Sequence, residues 1–488
     1  MLTTNPFQSE DDDHFREECA VFGIYGSSDA AKHGALCLHA MQHRGQEGTG
    51  LVTYDENGDQ FHAHRDHGHV GEVFGDPNVM AQLTGNSAIG HNRYSTTGDT
   101  LKRNVQPLFA DFEFGGLAIA HNGNLTNAGL LREELVRNGA IFQSTTDTEV
   151  IVHLMANNRG SVVDRLAATL SRIEGAYSLV CLTRKKLIGV RDPMGVRPLV
   201  LGRIGDAYIF ASETVALDIV GADKVRDVEP GEVIVIDEKG LRSFFPFPTL
   251  KPRFCVFEYI YFSRPDSIVE GRSVYEARRR IGEELAREAP LEADVVVPVP
   301  DSGVPSAVGY AAESGISFEI GIVRSHYMGR TFIEPSDEIR HLGVKLKHNA
   351  NKPVLEGKRV VLVDDSIVRG TTSKKIVEMV RSAGATEVHM RITSPPTTHS
   401  CFYGVDTPER DQLMAAKYTI EEMRRHIGCD SLVFISMDGL YRAMGFEGRD
   451  NDNPHYCDAC FSGDYPIRIA DRETPPIARQ LSLLKDAS

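Results

Sequence analysis

At 488 residues the chain is long enough for two or three domains whose cores need no disulfide staples. Hydrophobic residues make up 41%, charged residues 25% and aromatics 8%, which excludes a disordered or fibrous chain. The 53 Lys and Arg face 68 Asp and Glu, and a formal charge of −15 repels phosphate backbones and anionic bilayers. Neither nucleic acid nor a membrane is therefore an expected partner. No apolar run approaches the roughly 18 residues of a spanning helix. The opening MLTTNPFQSEDDDHFREE lacks the basic flank and apolar stretch of a signal peptide. Eight cysteines are too sparse for a disulfide framework. Without an export signal they read as reduced thiols, ligands or nucleophiles in a cytoplasmic protein.

Residues 1–18, centred on Asp11, Asp12 and Asp13, have no hydrophobic periodicity and read as a disordered leader. Order is expected from Cys19, where CAVFGIYG is a short β-type run closed by glycines. From there to about residue 245, β-like stretches dominate, among them 117–120, 177–181 and 233–236. Amphipathic helices lie between them, and Thr146 is placed to cap one that carries Val150, Ile151 and Leu154 on one face. The three prolines of 243–254, SFFPFPTLKPRF, predict a crossing between domains. Beyond it strand and helix alternate. Strands are predicted at 294–299, 318–323, 359–363 and 387–392. One helix carries Val304, Ala307, Val308 and Ala311 and ends near Gly315. Another spans 371–383, with Ile376, Val377, Met379 and Val380 as its apolar side and Gly384 as its stop. Repeated strand–helix–strand units imply a parallel sheet with ligands at the carboxyl ends of its strands. The domains expected are 19–250 and 251–470, with a tail at 471–488.

The sharpest local signal is VVLVDDSIVRGTT at 360–372. A hydrophobic strand runs into Asp364 and Asp365; then come Ser366, Ile367, Val368, Arg369 and Gly370, and Thr371 and Thr372 open a helix. Backbone N–H groups of such a loop, with the helix dipole behind them, bind a phosphate monoester. The carboxylates accept ribose hydroxyls or hold hydrated Mg²⁺. Residue types alone also permit a plain strand-end turn with two solvated aspartates. PVPDSG, 298–303, is a second strand-end turn and puts Ser302 and Gly303 where a diphosphate approaches backbone. YMGRTFI, 327–333, leads into a polar stretch with Arg330, Arg340, Lys345 and Lys347, which reads as a basic loop or a lid. As a whole the thirteen-residue string resembles the phosphoribosylpyrophosphate (PRPP) signature of type I phosphoribosyltransferases.

Cys19 draws attention through the segments downstream of it: QHRGQEGTG (42–50), GHNRYSTTG (90–98), AHNGNLTN (120–127) and STTDTEV (144–150). This ordered set resembles the N-terminal-nucleophile (Ntn) glutaminase domain of class II amidotransferases. The two modules in this order resemble the glutamine PRPP amidotransferase family, from Cys19 to about residue 470. The resemblance implies an α+β Ntn-hydrolase domain followed by an α/β type I phosphoribosyltransferase domain with a parallel sheet. It implies loss of the leader, so that Cys19 gains an α-amino group, a suitable base for its own thiol. It makes Asn122 and Gly123 the oxyanion pair. Arg93 becomes the clamp for the α-carboxylate of glutamine, and Asp147 the partner of its ammonium. At the other site it gives Asp364 and Asp365 to ribose and Mg²⁺, Ser302 to Mg²⁺, and residues 366–372 to the 5-phosphate. Arg330 and Lys345 become lid residues for pyrophosphate.

Cys457 and Cys460 form CDAC, and Cys255 and Cys401 lie far from it. Spacing alone leaves zinc, a redox dithiol and unrelated thiols open. The resemblance is to the leader-bearing subgroup, in which these four positions hold a [4Fe–4S] cluster, although four thiolates also suit zinc. Cys37, Cys181 and Cys429 sit in apolar stretches as ordinary buried thiols. The implied reaction converts glutamine, PRPP and water to 5-phosphoribosylamine, glutamate and pyrophosphate at the head of purine synthesis. Purine nucleotide inhibition and a homotetramer are implied as well. The rivals are another class II amidotransferase, against which the DDSIVRGTT element speaks, and a non-catalytic PRPP-sensing regulator.

Overall fold

The structure, a computed structural model, describes residues 19–94, 102–324 and 348–473. Leader residues 1–18, the basic residues Arg330, Arg340, Lys345 and Lys347, and the tail beyond 473 lie outside them. Packing divides the described chain into two units. One holds 19–254, 402–405 and 465–473; the other holds 255–401 and 406–464.

The first unit contains two antiparallel sheets. Seven strands run in the order Asp223–Asp227, Val200–Ile204, Ala207–Ala211, Ala20–Tyr25, Ser87–Arg93, Gly48–Asp55 and Gln60–His67. Six run in the order Gly240–Phe244, Val233–Asp237, Leu187–Arg191, Gly175–Thr183, Gly115–Leu125 and Leu108–Phe112. The two-residue period of a strand decides which core each side chain joins. Along the first strand Ala20, Phe22 and Ile24 pack under the helices Ala30–Ala40 and Val215–Val220. Val21 points the other way, between the sheets, to meet Ala118, Ala120, Val180 and Leu182. On the far side of the six-stranded sheet, Leu117, Ile119, Tyr177 and Leu179 pack against the helices Ala128–Arg137, Thr148–Asn157 and Val162–Leu170. The result is four layers, helix–sheet–sheet–helix. Burial on both faces explains why 117–120 reads as an unbroken apolar run and 177–181 as one broken only by Ser178.

The second unit is built on four parallel strands in the order Val295–Pro298, Arg359–Asp364, Glu387–Ile392 and Ser431–Phe434. Val360 and Leu362 share one core with Ile376, Val377 and Val380 of the helix Thr371–Ser382. That helix stops before Gly384, and Val304–Ser314 stops at Gly315, both glycines having positive φ (100° and 72°).

Two local expectations are corrected. Residues 318–323 do not make one strand. Phe318 forms a lone parallel bridge with Val296, and Ile322–Arg324 pairs separately with His348–Ala350. Gly321 separates the two, its Cα so close to the sheet that a Cβ there would lie 2.7 Å from Val297 Cγ2. The helix carrying Val150 starts at Thr148 with Asp147, not Thr146, at its N-cap. The Thr146 hydroxyl still accepts the Thr148 N–H at 3.0 Å. Among the described residues no helix is long and apolar enough to cross a membrane.

Gly23 sets the approach of the two sheets, because a Cβ there would lie 2.6 Å from Val180 Cγ1 and 3.0 Å from Leu187 Cδ1. Gly23→Val should lower unfolding stability by about 1–3 kcal/mol through overpacking, read from urea unfolding followed by circular dichroism.

Candidate active site

Cys19 stands at the start of the strand Ala20–Tyr25 and is 7% exposed. Antiparallel pairing of Ala20 with Asn92 puts the end of the strand Ser87–Arg93 beside it. The thiol donates to the Tyr94 carbonyl at 3.5 Å. Burial pushes the Cys19 thiol up to about 11, while the Tyr94 contact and the charge of Arg93 pull it down and Asp147 and Glu47 push it further up. Cys19, Arg93 and Asp147 are thus gathered at one buried place, although the last two lie about 70 and 130 residues downstream. At pH 7 only about one thiol in 10⁴ would be ionised, so the nucleophile depends on a base.

Asn122 and Gly123 lie in the strand Gly115–Leu125, opposite Ser178 and Tyr177. The buried Asn122 amide is 3.4 Å from Ser212 Oγ, and Ser212 Oγ accepts the Val21 N–H at 3.0 Å. Ser212 therefore ties the amide to the strand that begins at Cys19. Its surroundings, ASET, carry no motif, and the sequence offers no signal for it. Gly123 has φ +139°, and a Cβ would lie 2.0 Å from the Ala176 carbonyl oxygen, so no other residue fits.

Asp147 Oδ2 accepts the Leu125 N–H at 2.9 Å, and Oδ1 lies 3.5 Å from His121 Nδ1. Burial works against its charge, yet His121 and the Leu125 and Thr148 N–H groups outweigh that penalty and hold the carboxyl below its ordinary range. His121 in turn receives a hydrogen bond on its carbonyl from His91 Nε2 at 3.0 Å. Burial lowers His91 to about 3, against the opposing pull of that carbonyl. His91 is therefore a neutral ring with its proton on Nε2. The sequence reading gave neither histidine a role; the fold makes them the frame behind Asn122 and Asp147.

In the second unit Asp364 ends the central strand Arg359–Asp364. Asp364 Oδ1 accepts the Asp365 N–H at 2.9 Å. Asp365 accepts from Ser302 Oγ at 2.5 Å and from Ser366 Oγ at 2.6 Å. The two strand-end turns thus meet, and Asp364, Asp365 and Ser366 are all buried rather than solvated. Ser302 is a hydrogen-bond donor to Asp365 here. Ile367 joins the sheet core and Val368 is buried as well, which leaves only their backbone for a ligand. Arg369 Nη2 donates to Gln412 Oε1 at 3.2 Å. Gly370, φ +81°, precedes the helix carrying Thr371 and Thr372.

Cys255 and Cys457 are buried and Cys401 and Cys460 partly so, all four as free thiols. The Cys460 thiol is raised by burial and then by the charges of Cys255, Cys401 and Cys457, so the four sulfurs share one neighbourhood. The Cys460 carbonyl accepts the N–H groups of Thr398 and His399, each at 3.1 Å, which draws the turn before Cys401 onto CDAC. Among the described residues no three His, Cys, Asp or Glu side chains converge as ligands of a single ion, either here or around Asp364, Asp365 and Ser302. Cys37, Cys181 and Cys429 are buried elsewhere, their thiols raised by burial.

The neutrality of His91 is a measurable stability term. The unfolded chain protonates this ring below its ordinary value of 6.5, whereas the folded chain resists down to about 3. Stability linked to His91 is therefore complete above 6.5 and lost as pH falls from there towards 3. Between pH 7 and pH 5 the wild type should lose about 2 kcal/mol more than a His91→Asn variant, read from urea unfolding at both values.

Comparison with known proteins agrees with this division. The family model for a glutamine amidotransferase domain matches residues 91–218, and that for a phosphoribosyl transferase domain matches 266–393. An amidophosphoribosyltransferase of Rhizobium etli is 55% identical over 97% of each chain. One from Bacillus subtilis is 46% identical over 96% of this chain and 98% of that one. A solved glutamine PRPP amidotransferase from B. subtilis, complexed with ADP and GMP, superimposes with a TM-score of 0.87 at 46% identity, covering 92% of this chain and 98% of that one. With identity of this order along nearly its whole length, the chain belongs to the amidophosphoribosyltransferase family, glutamine-dependent pentosyltransferases that combine an amidotransferase domain with a phosphoribosyltransferase domain.

Proposed function

We propose that the chain converts glutamine, PRPP and water to 5-phosphoribosylamine, glutamate and pyrophosphate, opening purine synthesis. The observation that carries the roles of its residues is a buried, protonated thiol at Cys19 flanked by Arg93 and Asp147. Removal of residues 1–18 frees the Cys19 α-amine, whose ordinary value of about 7.7–8.0 lets it take the thiol proton that no other described neighbour is suited to take. Arg93 pairs with the α-carboxylate of glutamine and Asp147, held ionised, with its ammonium. The Cys19 sulfur bonds to the side-chain carbonyl carbon, and the oxygen that becomes negative is met by the Asn122 amide and the Gly123 N–H. Collapse breaks the C–N bond and releases ammonia; water then cleaves the thioester to glutamate. Loss of one oxyanion donor costs on the order of 3 kcal/mol in barrier.

At the second site ammonia bonds to C1 of the ribose as the bond to pyrophosphate breaks. Backbone N–H groups of 366–372, at the N-terminus of the helix Thr371–Ser382, receive the 5-phosphate. Asp364 and Asp365, buried hard oxygen donors, suit ribose hydroxyls and hydrated Mg²⁺, with Ser302 beside them; Mg²⁺ there would neutralise the leaving group. Arg330 and Lys345 are the lid cations for pyrophosphate. Cys255, Cys401, Cys457 and Cys460 would hold a [4Fe–4S] cluster, since four thiols close enough for three of them to act on Cys460 are an apt donor set. In this reading the amidotransferase domain is 19–250, the phosphoribosyltransferase domain 251–470 and the tail 471–488. The protein is a cytoplasmic homotetramer inhibited by purine nucleotides; the B. subtilis complex with ADP and GMP supports the binding of such nucleotides.

Cys19→Ala should abolish glutamine-dependent synthesis while leaving ammonia-dependent synthesis from PRPP intact in the same assay. Loss of both would defeat the assignment of separate sites. Anaerobically purified protein should begin at Cys19 by intact mass and carry about four iron per chain. An active chain starting at Met1 would remove the amine as base, and a zinc-loaded, colourless one would remove the cluster.

A further inference from the structure

We infer that Phe402–Val405, drawn from some 280 residues downstream, is the strap that positions the oxyanion pair, with Gly404 as its positioning residue; this rests on the oxyanion role proposed for Asn122 and Gly123. Two other backbones come close to Gly123. One is that of Ala176, whose carbonyl oxygen would be 2.0 Å from a Cβ on Gly123. The other is that of Gly404, φ +113°, where a Cβ would be 2.9 Å from Gly123 Cα and 3.1 Å from its carbonyl carbon. Next to Gly123, Asn124 Nδ2 donates to the Phe402 carbonyl at 3.0 Å.

The strap is itself held. The Tyr403 hydroxyl donates to the Ile467 carbonyl at 2.6 Å and accepts the Ile467 N–H at 3.0 Å, with Tyr403 almost wholly buried. The Arg472 guanidinium sits 4.3 Å over the Phe402 ring. An oxyanion donor works only where it is already aimed before charge develops. A glycine at φ +139° has no side chain to wedge it in place, so its direction must come from its neighbours. The Ala176 and Gly404 backbones supply that, and Asn124 fastens the next residue. Gly404 touches no substrate in this scheme and acts through Gly123.

The test uses the full-length mature enzyme. Gly404→Ala forces either the new methyl or Gly123 to move. We expect glutamine-dependent kcat to fall about tenfold, KM for glutamine to change less than about threefold, and ammonia-dependent synthesis to stay within about twofold. Alkylation of Cys19 by iodoacetamide should keep its rate, since sulfur and base are untouched. Asn124→Ala should show the same split with a loss of about threefold, and it serves alone if Gly404→Ala fails to fold. Unchanged glutamine turnover, or an equal fall in both syntheses, overturns the strap. Asn122→Ala separates the two levels. If it is inactive with glutamine while Gly404→Ala and Asn124→Ala are normal, only the strap is wrong. If it is fully active, the oxyanion assignment fails and the strap with it.

Discussion

The register of one central strand governs the amidotransferase unit. Ala20–Tyr25 lies between Ser87–Arg93 and Ala207–Ala211, and its side chains alternate between two different cores. A slip by one residue would send Phe22 and Ile24 between the sheets, where Gly23 leaves no room, and Val21 under the helices. That penalty fixes the pairing of Ala20 with Asn92. The same pairing brings Cys19 to Arg93 and the Val21 N–H to Ser212, and through Ser212 to Asn122. Hydrophobic packing thus sets the positions of polar groups that bury almost no apolar surface themselves.

The two units treat charge in opposite ways. Around Cys19 the surroundings suppress ionisation of the sulfur and keep His91 neutral, while Asp147 is held charged by hydrogen-bond donors. A thiol kept protonated until substrate and base are both present does not waste its reactivity on other electrophiles. At the phosphoribosyltransferase strand end the carboxylates are buried too, but Asp364 is supplied with the Asp365 N–H and Asp365 with the hydroxyls of Ser366 and of Ser302 from the neighbouring turn. The first arrangement favours control of a nucleophile; the second favours a preorganised cradle for a charged ligand.

The CDAC pair shows how local and distant sequence combine. Cys457 and Cys460 are neighbours by spacing, whereas Cys255 and Cys401 reach them only through the fold. Likewise Gly404 has no motif around it that speaks of glutamine chemistry, yet it abuts the glycine whose direction matters most there.

Much of this molecule was legible in its residues alone. Alternating strand and helix segments announced the parallel unit, because strands such as Arg359–Asp364 are buried on both faces and read as short apolar runs, while helices such as Thr371–Ser382 bury one face. Asp364, Asp365, Cys19, Arg93, Asn122 and Asp147 stood out through the strings that surround them. What sequence could not supply was proximity across the sheets. Ser212, His91, His121 and Gly404 act through single hydrogen bonds or backbone contacts with residues tens to hundreds of positions away, and such contacts leave no periodicity and no spacing. The split of 318–323 at Gly321 was hidden for the same reason, since it depends on how close Val297 comes. Local composition determined which segments form strands, helices and loops, because burial period and turn chemistry are local properties. Only tertiary packing decided which polar atoms meet and how strongly each holds its proton, because both depend on what surrounds an atom in space.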